Sequence, residues 1–279
     1  MPIEKRVVIV TGASSGIGEA TAREFGRAGD RIVLAARRIE RLESLANEID
    51  GYGTGAECLV VQADLSRLPD IVAMVDRTLQ AWQRVDVLVN NAGFGRLDWL
   101  ENLDPVKDIE AQMNVNVMGV IQTTRQVLPV MIKQRSGSII NMCSMSGLVG
   151  TPTYTIYSAS KHAVHGFSEA LRREVQPWGV HVSLLYPGGV VTEFGTHAGI
   201  KRKTKTTTPR SLLLTADQVG KAVVHLASHP RRMWIFPWQW GLSALLNRLW
   251  PALVDYLTIR RFTIPERADE LSASTAGPR

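Results

Sequence analysis

Tyr157 and Lys161 are a phenol and an ammonium four residues apart, a spacing that suits proton transfer. If this stretch is helical, both side chains lie on one face, about one turn apart. A nearby cation favours the phenolate, so we expect the pKa of Tyr157 to move from about 10 toward working pH. General acid–base catalysis needs a group tuned in this way. The same spacing is common by chance in solvated surface pairs, and the neighbouring motifs must decide between the two interpretations.

Ser144 stands at the end of a strand-like run, 137–143, thirteen residues before Tyr157. A hydroxyl at that place can hold a carbonyl oxygen between itself and the phenol, where it stabilises developing negative charge. Ser144, Tyr157 and Lys161 are therefore the first candidate catalytic residues.

A glycine-rich loop lies between the first strand and the first helix that the sequence predicts. The β-branched run 6–10 is typical of a buried parallel strand, and T-G-A-S-S-G-I-G follows at 11–18. Gly12, Gly16 and Gly18 suit a tight turn, a close approach to a pyrophosphate and close packing of helix on strand. The helix N-terminus then offers free N–H groups to phosphates. This context favours a dinucleotide loop over a plain turn.

Two arginines, Arg37 and Arg38, follow the predicted second strand 31–36, which ends in Ala36. An NAD site places an acid here for the ribose 2′-hydroxyl, whereas an NADP site places an arginine nearby for the 2′-phosphate. No carboxylate is present, and a guanidinium suits a phosphate. The residues predict NADP(H); the alternative is that both arginines cap a solvated helix that begins at Ile39.

The glycine loop resembles the cofactor loop of the short-chain dehydrogenase/reductase family. Further motifs in the family's order extend the resemblance from about residue 6 to 235. They are N-N-A-G at 90–93, N-x-x-G at 116–119 within a helical pattern over about 106–134, Ser144 with Y-x-x-x-K at 157–161, and P-G-G-V-V-T at 187–192. The resemblance implies an α/β fold, with a doubly wound parallel sheet of about seven strands in a single domain. It also implies an NADP(H)-dependent oxidoreductase that interconverts a carbonyl and a secondary alcohol.

The resemblance assigns a role to each candidate catalytic residue. Tyr157 would donate the proton in reduction and remove it in oxidation, while Ser144 would bond the substrate oxygen. Lys161 would lower the pKa of the phenol and bind the ribose hydroxyls. Asn116 would help to hold a water that links Lys161 to solvent, and an unpaired buried amide in mid-helix would otherwise cost about 1–3 kcal/mol.

The resemblance also implies a set of cofactor contacts around the sheet edge. Asp64 would sit by the adenine ring, although a helix N-cap is an equally good interpretation of that residue. Asn90 is expected to be structural and Asn91 to contact the cofactor. The full set of expected cofactor-binding residues is Gly12, Ser14, Ser15, Gly16, Ile17, Gly18, Arg37, Arg38, Asp64, Asn91, Tyr157, Lys161, Val190 and Thr192. No metal site is expected.

Length and composition set wider bounds on the protein. A chain of 279 residues with a formal net charge of +6 shows no dense basic face interleaved with aromatics, which argues against nucleic-acid binding. Cys58 and Cys143 lie in apolar runs and are expected to be buried free thiols, as in a reducing cytosol. The first residues enter a strand with no signal-peptide pattern, so a cytoplasmic protein is expected.

The chain continues past the last predicted strand, 233–236, into an apolar and basic extension. Leucines at helical spacing run from Leu242 to Leu257, accompanied by tryptophans and arginines. Prolines and Arg248 argue against a transmembrane span. The stripe is expected to cover the substrate mouth, to pack on a partner subunit or to lie in a membrane interface. We therefore divide the chain into a catalytic domain 1–237, an amphipathic helical extension 238–267 and a disordered tail 268–279.

The substrate and the assembly are less sharply predicted. The segments expected to surround the substrate, 94–103 and 145–155, are mostly apolar and favour a lipophilic carbonyl or alcohol. Residues 193–214 break the periodicity and are expected to form a lid or a disordered loop. The resemblance implies a homodimer or homotetramer, with peripheral membrane contact through 238–261 as a further possibility. The alternative function is a non-catalytic NADP(H)-binding sensor or scaffold; loss of Ser144, Tyr157 or Lys161 would indicate it, and all three are present.

Overall fold

A computed structural model of the chain describes residues 5–199 and 208–268. Seven strands form one all-parallel sheet: β1 Val7–Thr11, β2 Arg31–Ala36, β3 Glu57–Gln62, β4 Val87–Asn90, β5 Gly137–Met142, β6 Val180–Pro187 and β9 Met233–Phe236. Their order across the sheet is β3-β2-β1-β4-β5-β6-β9. Two short strands, β7 Val190–Val191 and β8 Leu214–Thr215, pair separately.

Helices cover both faces of the sheet. They are α1 Gly16–Arg27, α2 Ile39–Asp50, α3 Leu68–Trp82, α4 Ala111–Met113, α5 Val120–Gln134, α6 Thr155–Val175, α7 Glu193–His197, α8 Ala216–Ser228, α9 Trp240–Leu249, α10 Pro251–Thr258 and α11 Ile264–Glu266. Side chains of α1, α2 and α8 pack in one core, and those of α3, α5 and α6 pack in the other. The predicted doubly wound α/β fold is confirmed.

The central strand β1 explains why both faces must be covered. Its residues Val7 to Val10 are completely buried, with Val8 and Val10 in one core and Ile9 in the other. A strand with apolar side chains on both faces is stable only between two helical layers. The four strands predicted above, 6–10, 31–36, 137–143 and 233–236, lie within one residue of β1, β2, β5 and β9 at either end.

Two predicted segments differ in detail from the structure. The helix expected over about 106–134 contains two π-helical segments, Pro105–Glu110 and Asn114–Gly119, on either side of α4. The segment expected to be irregular after Thr192 begins with the short helix α7, and its later part contributes β8. Residues 200–207, at the centre of the expected lid, lie outside the described residues, as does the tail beyond 268.

The C-terminal extension folds as consecutive helices against the body of the protein. Pro251 begins a second helix, because proline at the first helical position needs no backbone donor. Phe262 anchors the extension: its side chain is buried, and its ring lies 6.4 Å from that of Trp99. No helix within 5–199 or 208–268 has the length and apolar character needed to cross a membrane.

Candidate active site

The candidate site lies at the carboxyl ends of β1 and β4, where the strand order reverses. Adjacent strands are hydrogen-bonded side by side there, and the loops that follow them diverge to leave a crevice. The glycine loop follows β1, the N-N-A-G segment follows β4, and Ser144 follows β5. The topology thus brings together motifs that are more than a hundred residues apart in sequence.

The glycine loop is packed so closely that side chains are excluded at two positions. A Cβ atom on Gly18 would lie 2.2 Å from the carbonyl oxygen of Gly12 and 2.5 Å from Nδ2 of Asn91. Gly12 itself has φ +68°, and its Cβ would lie 2.9 Å from Cα of Ala92. Gly16 also takes a positive φ of 58°. These positions require glycine, as a dinucleotide loop predicts.

Asn91 stabilises this loop from the neighbouring strand. Its Nδ2 donates to the carbonyl oxygen of Thr11 at 2.9 Å, and its backbone N–H donates to Thr11 Oγ1 at 3.0 Å. The Asn91 side chain, which we expected to contact the cofactor, therefore donates to the backbone of the glycine loop. Asn90 is buried, and its Nδ2 donates to Asn141 and Thr124, which agrees with the structural role expected for it.

The N-terminus of α1 presents an anion site next to Arg38. Its N-cap residue Ser15 makes no side-chain capping bond, so the first N–H groups of the helix keep their capacity for an anionic ligand. Arg38 donates to Ser15 Oγ at 2.6 Å and to Ser14 Oγ at 3.2 Å, which holds its guanidinium against the loop. Arg37 is exposed and its carbonyl oxygen accepts from Gln62. The close glycines, the uncapped helix end and Arg38 fit a phosphorylated dinucleotide.

Tyr157 and Lys161 lie one turn apart on α6, as predicted. The Tyr157 residue is 9% exposed, and its ring packs with Leu97 and Phe194. Lys161 is 5% exposed; its Nζ lies 5.6 Å from the centroid of the Tyr157 ring and donates to the carbonyl oxygen of Met142 at 2.9 Å. The pair is buried in the crevice rather than solvated, which removes the surface-pair interpretation.

The pKa values of the two groups differ from the expectation. Burial raises the pKa of the Tyr157 phenol above its usual value, while a hydrogen bond with Ser144 lowers it. Burial lowers the pKa of the Lys161 ammonium. In the protein alone, removal from water is the largest influence, so the pKa of the phenol rises instead of falling as the spacing to Lys161 predicts. Ser144 is near enough to the phenol to lower its pKa.

Asn116 lies in the second π-helical segment and is completely buried. Its Oδ1 accepts from the backbone N–H of Phe94 at 3.0 Å, and its Nδ2 donates to the Phe94 carbonyl at 2.8 Å and to Ser160 Oγ at 3.3 Å. π-Helical turns are frequent at functional sites. The amide fixes the loop after β4 directly against α6.

Comparison with known proteins agrees with this geometry. Residues 6–203 match the family model described as short chain dehydrogenase. The chain belongs to the short-chain dehydrogenase family. It is therefore an oxidoreductase of the class that acts on CH–OH groups, and the predicted reaction class is confirmed at that level.

Individual relatives of this dehydrogenase cover most of its length. A Dictyostelium discoideum protein described as dehydrogenase/reductase SDR family protein 7-like is 30% identical over 259 residues, which are 91% of this chain and 81% of the relative. A short-chain dehydrogenase/reductase from Burkholderia phymatum, solved with NAD, has a TM-score of 0.79 at 28% identity and covers 89% of this chain and 94% of its own. A short-chain dehydrogenase from Sphingobium yanoikuyae, solved with NADPH, has a TM-score of 0.75 at 29% identity and covers 87% and 94%.

Asp64 occupies a turn in this dehydrogenase rather than a helix cap. Its Oδ1 accepts from the backbone N–H and the hydroxyl of Ser66, and its own N–H donates to Asp70. Helix α3 begins at Leu68 with Arg67 at the N-cap position, so the N-cap interpretation of Asp64 is wrong. The turn still places Asp64 directly after β3, beside the second strand's carboxyl end.

The P-G-G-V-V-T segment closes the other side of the crevice. Val190 is partly buried in β7 and packs against the core that holds α1, as does Ile17 of the glycine loop. Thr192 caps α7 by accepting from the backbone N–H of Phe194 at 3.3 Å. A Cβ on Gly16 would lie 3.3 Å from Cγ2 of Thr192, so the two motifs are in contact range.

Phe194 is an aromatic residue of the site that no motif in the sequence indicates. The Phe194 ring lies 5.4 Å from the Tyr157 ring at 55°. A Cβ added to Gly95 would lie 2.8 Å from Cζ of Phe194, so the ring also covers the loop after β4. The signal available in the sequence was position alone, two residues after Thr192, the last residue of the P-G-G-V-V-T motif. Among residues 5–199 and 208–268, no cluster of three or more His, Cys, Asp or Glu side chains is suited to a metal ion.

Proposed function

We propose that this short-chain dehydrogenase uses NADP(H) to interconvert a carbonyl and a secondary alcohol. The observation that carries the cofactor choice is Arg38, whose guanidinium rests on Ser14 and Ser15 beside the uncapped end of α1. No acid ends β2, where an NAD site would place one. One neighbouring structure was solved with NADPH and another with NAD, so the arginine is the stronger support.

The cofactor, when bound, supplies or accepts the hydride. The chain itself handles the proton: Tyr157 gives it to the substrate oxygen in reduction and takes it in oxidation. A phenol whose pKa is raised by burial is fully protonated at neutral pH, which suits the donor role. Ser144 holds the same oxygen, a contribution of about 3 kcal/mol to the transition state by analogy with oxyanion donors. Lys161, one turn of α6 away from Tyr157, would bind the ribose hydroxyls.

We also propose a lipophilic substrate. Tyr157 belongs to an apolar cluster with Leu97, Tyr154 and Phe194, so few polar groups surround the proton donor. A cavity of about 440 Å³ lies between the first turn of α6 and helix α10 of the C-terminal extension. That volume falls within the usual range for small-molecule sites, about 300–1,000 Å³. Its lining includes Thr155 and Ser158 of α6 but neither Ser144 nor Tyr157, so the apolar cluster around the phenol is the stronger support for a lipophilic substrate.

The test is NADPH oxidation by the full-length protein against ketones, aldehydes and steroids, with NADH as the control cofactor. We expect turnover with at least one lipophilic carbonyl and a clear preference for NADPH. The Arg38→Gln variant should lose that preference while keeping turnover with NADH. Binding of NADPH without oxidation across the whole panel would instead favour the sensor or scaffold.

A cytoplasmic homodimer or homotetramer is the assembly that family resemblance supports. Light scattering on the purified protein measures the mass directly. A monomer at micromolar concentration would contradict this part of the proposal.

The exposed face of the helical extension 238–267 supports peripheral contact with an anionic membrane. Its exposed large apolar side chains are Trp238, Leu242, Leu245, Leu249, Trp250, Leu253, Tyr256, Ile259 and Ile264. Arg248, Arg260 and Arg261 are exposed beside them, a combination favoured at lipid headgroups.

Flotation with vesicles that contain phosphatidylserine tests this contact. The full-length protein should float, and the Leu242→Asp/Leu249→Asp variant should not. Leu68→Asp removes an exposed leucine far along the chain and serves as the matched control. Equal flotation of all three proteins would rule out the helical extension as the membrane contact.

A further inference from the structure

The first residues after β7 contact three separate parts of the site. Thr192 approaches Gly16 of the glycine loop, and Phe194 covers the ring of Tyr157. Glu193, between them, reaches the arginines that follow β2. The start of α7 therefore spans the crevice from the phosphate end to the catalytic phenol.

Glu193 bridges two guanidinium groups with its two carboxylate oxygens. Oε2 lies 3.3 Å from Nη1 of Arg38, and Oε1 accepts from Nη1 of Arg41 at 2.9 Å. The two arginines hold the pKa of the Glu193 carboxyl below its usual value, through hydrogen bonds first from Arg41 and then from Arg38. Arg41 lies within α2, three residues beyond Arg38, and so stands one helical turn away from it on the same face.

A carboxylate and a phosphate compete for the same guanidinium donors. Arg38 already touches both serines of the glycine loop, so the anion held between Arg38 and Arg41 lies at the adenosine end of the crevice. The side chains of Arg38, Arg41 and Glu193 are 40%, 49% and 43% exposed. Ion pairs that exposed are weak, and a dianionic phosphate can displace the carboxylate.

We propose that Arg41 binds the adenosine 2′-phosphate together with Arg38, and that Glu193 occupies both arginines in the absence of that phosphate. The inference rests on the proposed NADP(H) function and adds to it a second phosphate-binding residue and an internal competitor. A dinucleotide without the 2′-phosphate leaves the carboxylate in place. Cofactor choice therefore depends on the exchange of one anion for another at the same two guanidinium groups.

Dissociation constants of NADPH and NADH, measured by titration calorimetry without substrate, test the inference. In Glu193→Gln the competitor is removed, so NADPH should bind about three- to tenfold more tightly, while the value for NADH changes less than about twofold. Arg41→Gln should weaken NADPH by a similar factor and leave NADH unchanged. Arg41→Gln should weaken NADPH binding more in the Glu193→Gln background than in the wild type. In the wild type the same change also removes the Arg41–Glu193 ion pair that competes with the phosphate, and this offsets part of the loss.

Glu40→Gln is the matched control. Glu40 is exposed and directly precedes Arg41, and its replacement by glutamine removes the same charge as Glu193→Gln does. The Glu40 side chain forms no hydrogen bond with any residue in 5–199 or 208–268. It should leave both dissociation constants within about twofold of the wild-type values. An equal effect of Glu40→Gln and Glu193→Gln would show that only net charge matters and would overturn the inference.

Failure of the inference and failure of the proposed cofactor give different results. If the wild type prefers NADPH but Glu193→Gln and Arg41→Gln keep its NADPH and NADH affinities, the inference is wrong and the proposed function stands. If the wild type prefers NADH or binds neither cofactor, the proposed cofactor itself is wrong and the inference falls with it.

Discussion

Replacing Gly18 by alanine tests how closely the glycine loop must approach the strand beside it. The added Cβ would lie 2.2 Å from the Gly12 carbonyl oxygen and 2.5 Å from Nδ2 of Asn91. Favourable separations between heavy atoms are about 3.5 Å, so the loop and α1 must separate by roughly 1 Å. Both obstructing groups are held in place, since Asn91 Nδ2 donates to the carbonyl oxygens of Thr11 and Gly12.

The magnitude follows from that displacement. Overpacking of a close contact costs about 1–3 kcal/mol of folding free energy. A misplacement of about 1 Å at a binding site costs on the order of a hundredfold. We expect Gly18→Ala to lower the free energy of unfolding in urea by about 1–3 kcal/mol and to weaken NADPH binding by tenfold or more.

Gly166→Ala provides the matched control. Gly166 lies in α6, is exposed, and its added Cβ meets no heavy atom outside its own helix within 4 Å. Alanine in a helix interior is more stable than glycine by about 0.5–1 kcal/mol, so this variant should gain stability and keep its NADPH affinity. If Gly18→Ala binds NADPH as the wild type does, the close approach of loop and strand does not form the cofactor site.

Two further variants test the buried polar groups around Tyr157. Lys161→Met should abolish turnover yet raise the free energy of unfolding at pH 7, because it removes a buried ammonium whose pKa is lowered. Between the lowered pKa of Lys161 and about 10.4, the unfolded wild type binds more protons than the folded protein, so its free energy of unfolding increases as pH rises. The difference in stability between Lys161→Met and the wild type should therefore narrow with pH, and a difference that widens would refute the burial argument. Asn116→Leu should destabilise by about 2–4 kcal/mol in urea, since the Phe94 N–H and carbonyl and Ser160 lose partners. An unchanged unfolding midpoint would contradict it.

Much of the fold follows from short-range patterns. Runs of β-branched residues such as those around Val8 and Val33 are long enough to fill a strand and apolar on both faces, and only a parallel sheet between helices buries them. The glycine loop was also predictable, because Gly12 and Gly18 leave room that no other residue allows. These features depend on residues close together in sequence.

Other features depend on partners that the sequence does not reveal. The π-helical turn at Asn116 serves a bond to Phe94 in a different segment, and periodicity gives no sign of it. Helix α7 forms where Glu193 meets Arg41, more than a hundred and fifty residues away in sequence. Whether the pKa of Tyr157 shifts up or down depends on how completely its neighbours exclude water, and the spacing to Lys161 does not determine that. Long-range packing therefore decided these three points, whereas the turn at Asp64 depends on Ser66, two residues away.

The central claim is that the Tyr157 phenol transfers the proton during reduction. Its most direct test is the single-turnover rate of NADPH oxidation by Tyr157→Phe, with the best carbonyl substrate of the panel and saturating cofactor. General acid catalysis contributes about 10²–10⁴-fold, so the rate should fall by at least about a hundredfold while the NADPH dissociation constant stays within about twofold. A rate within about threefold of the wild type would contradict the account.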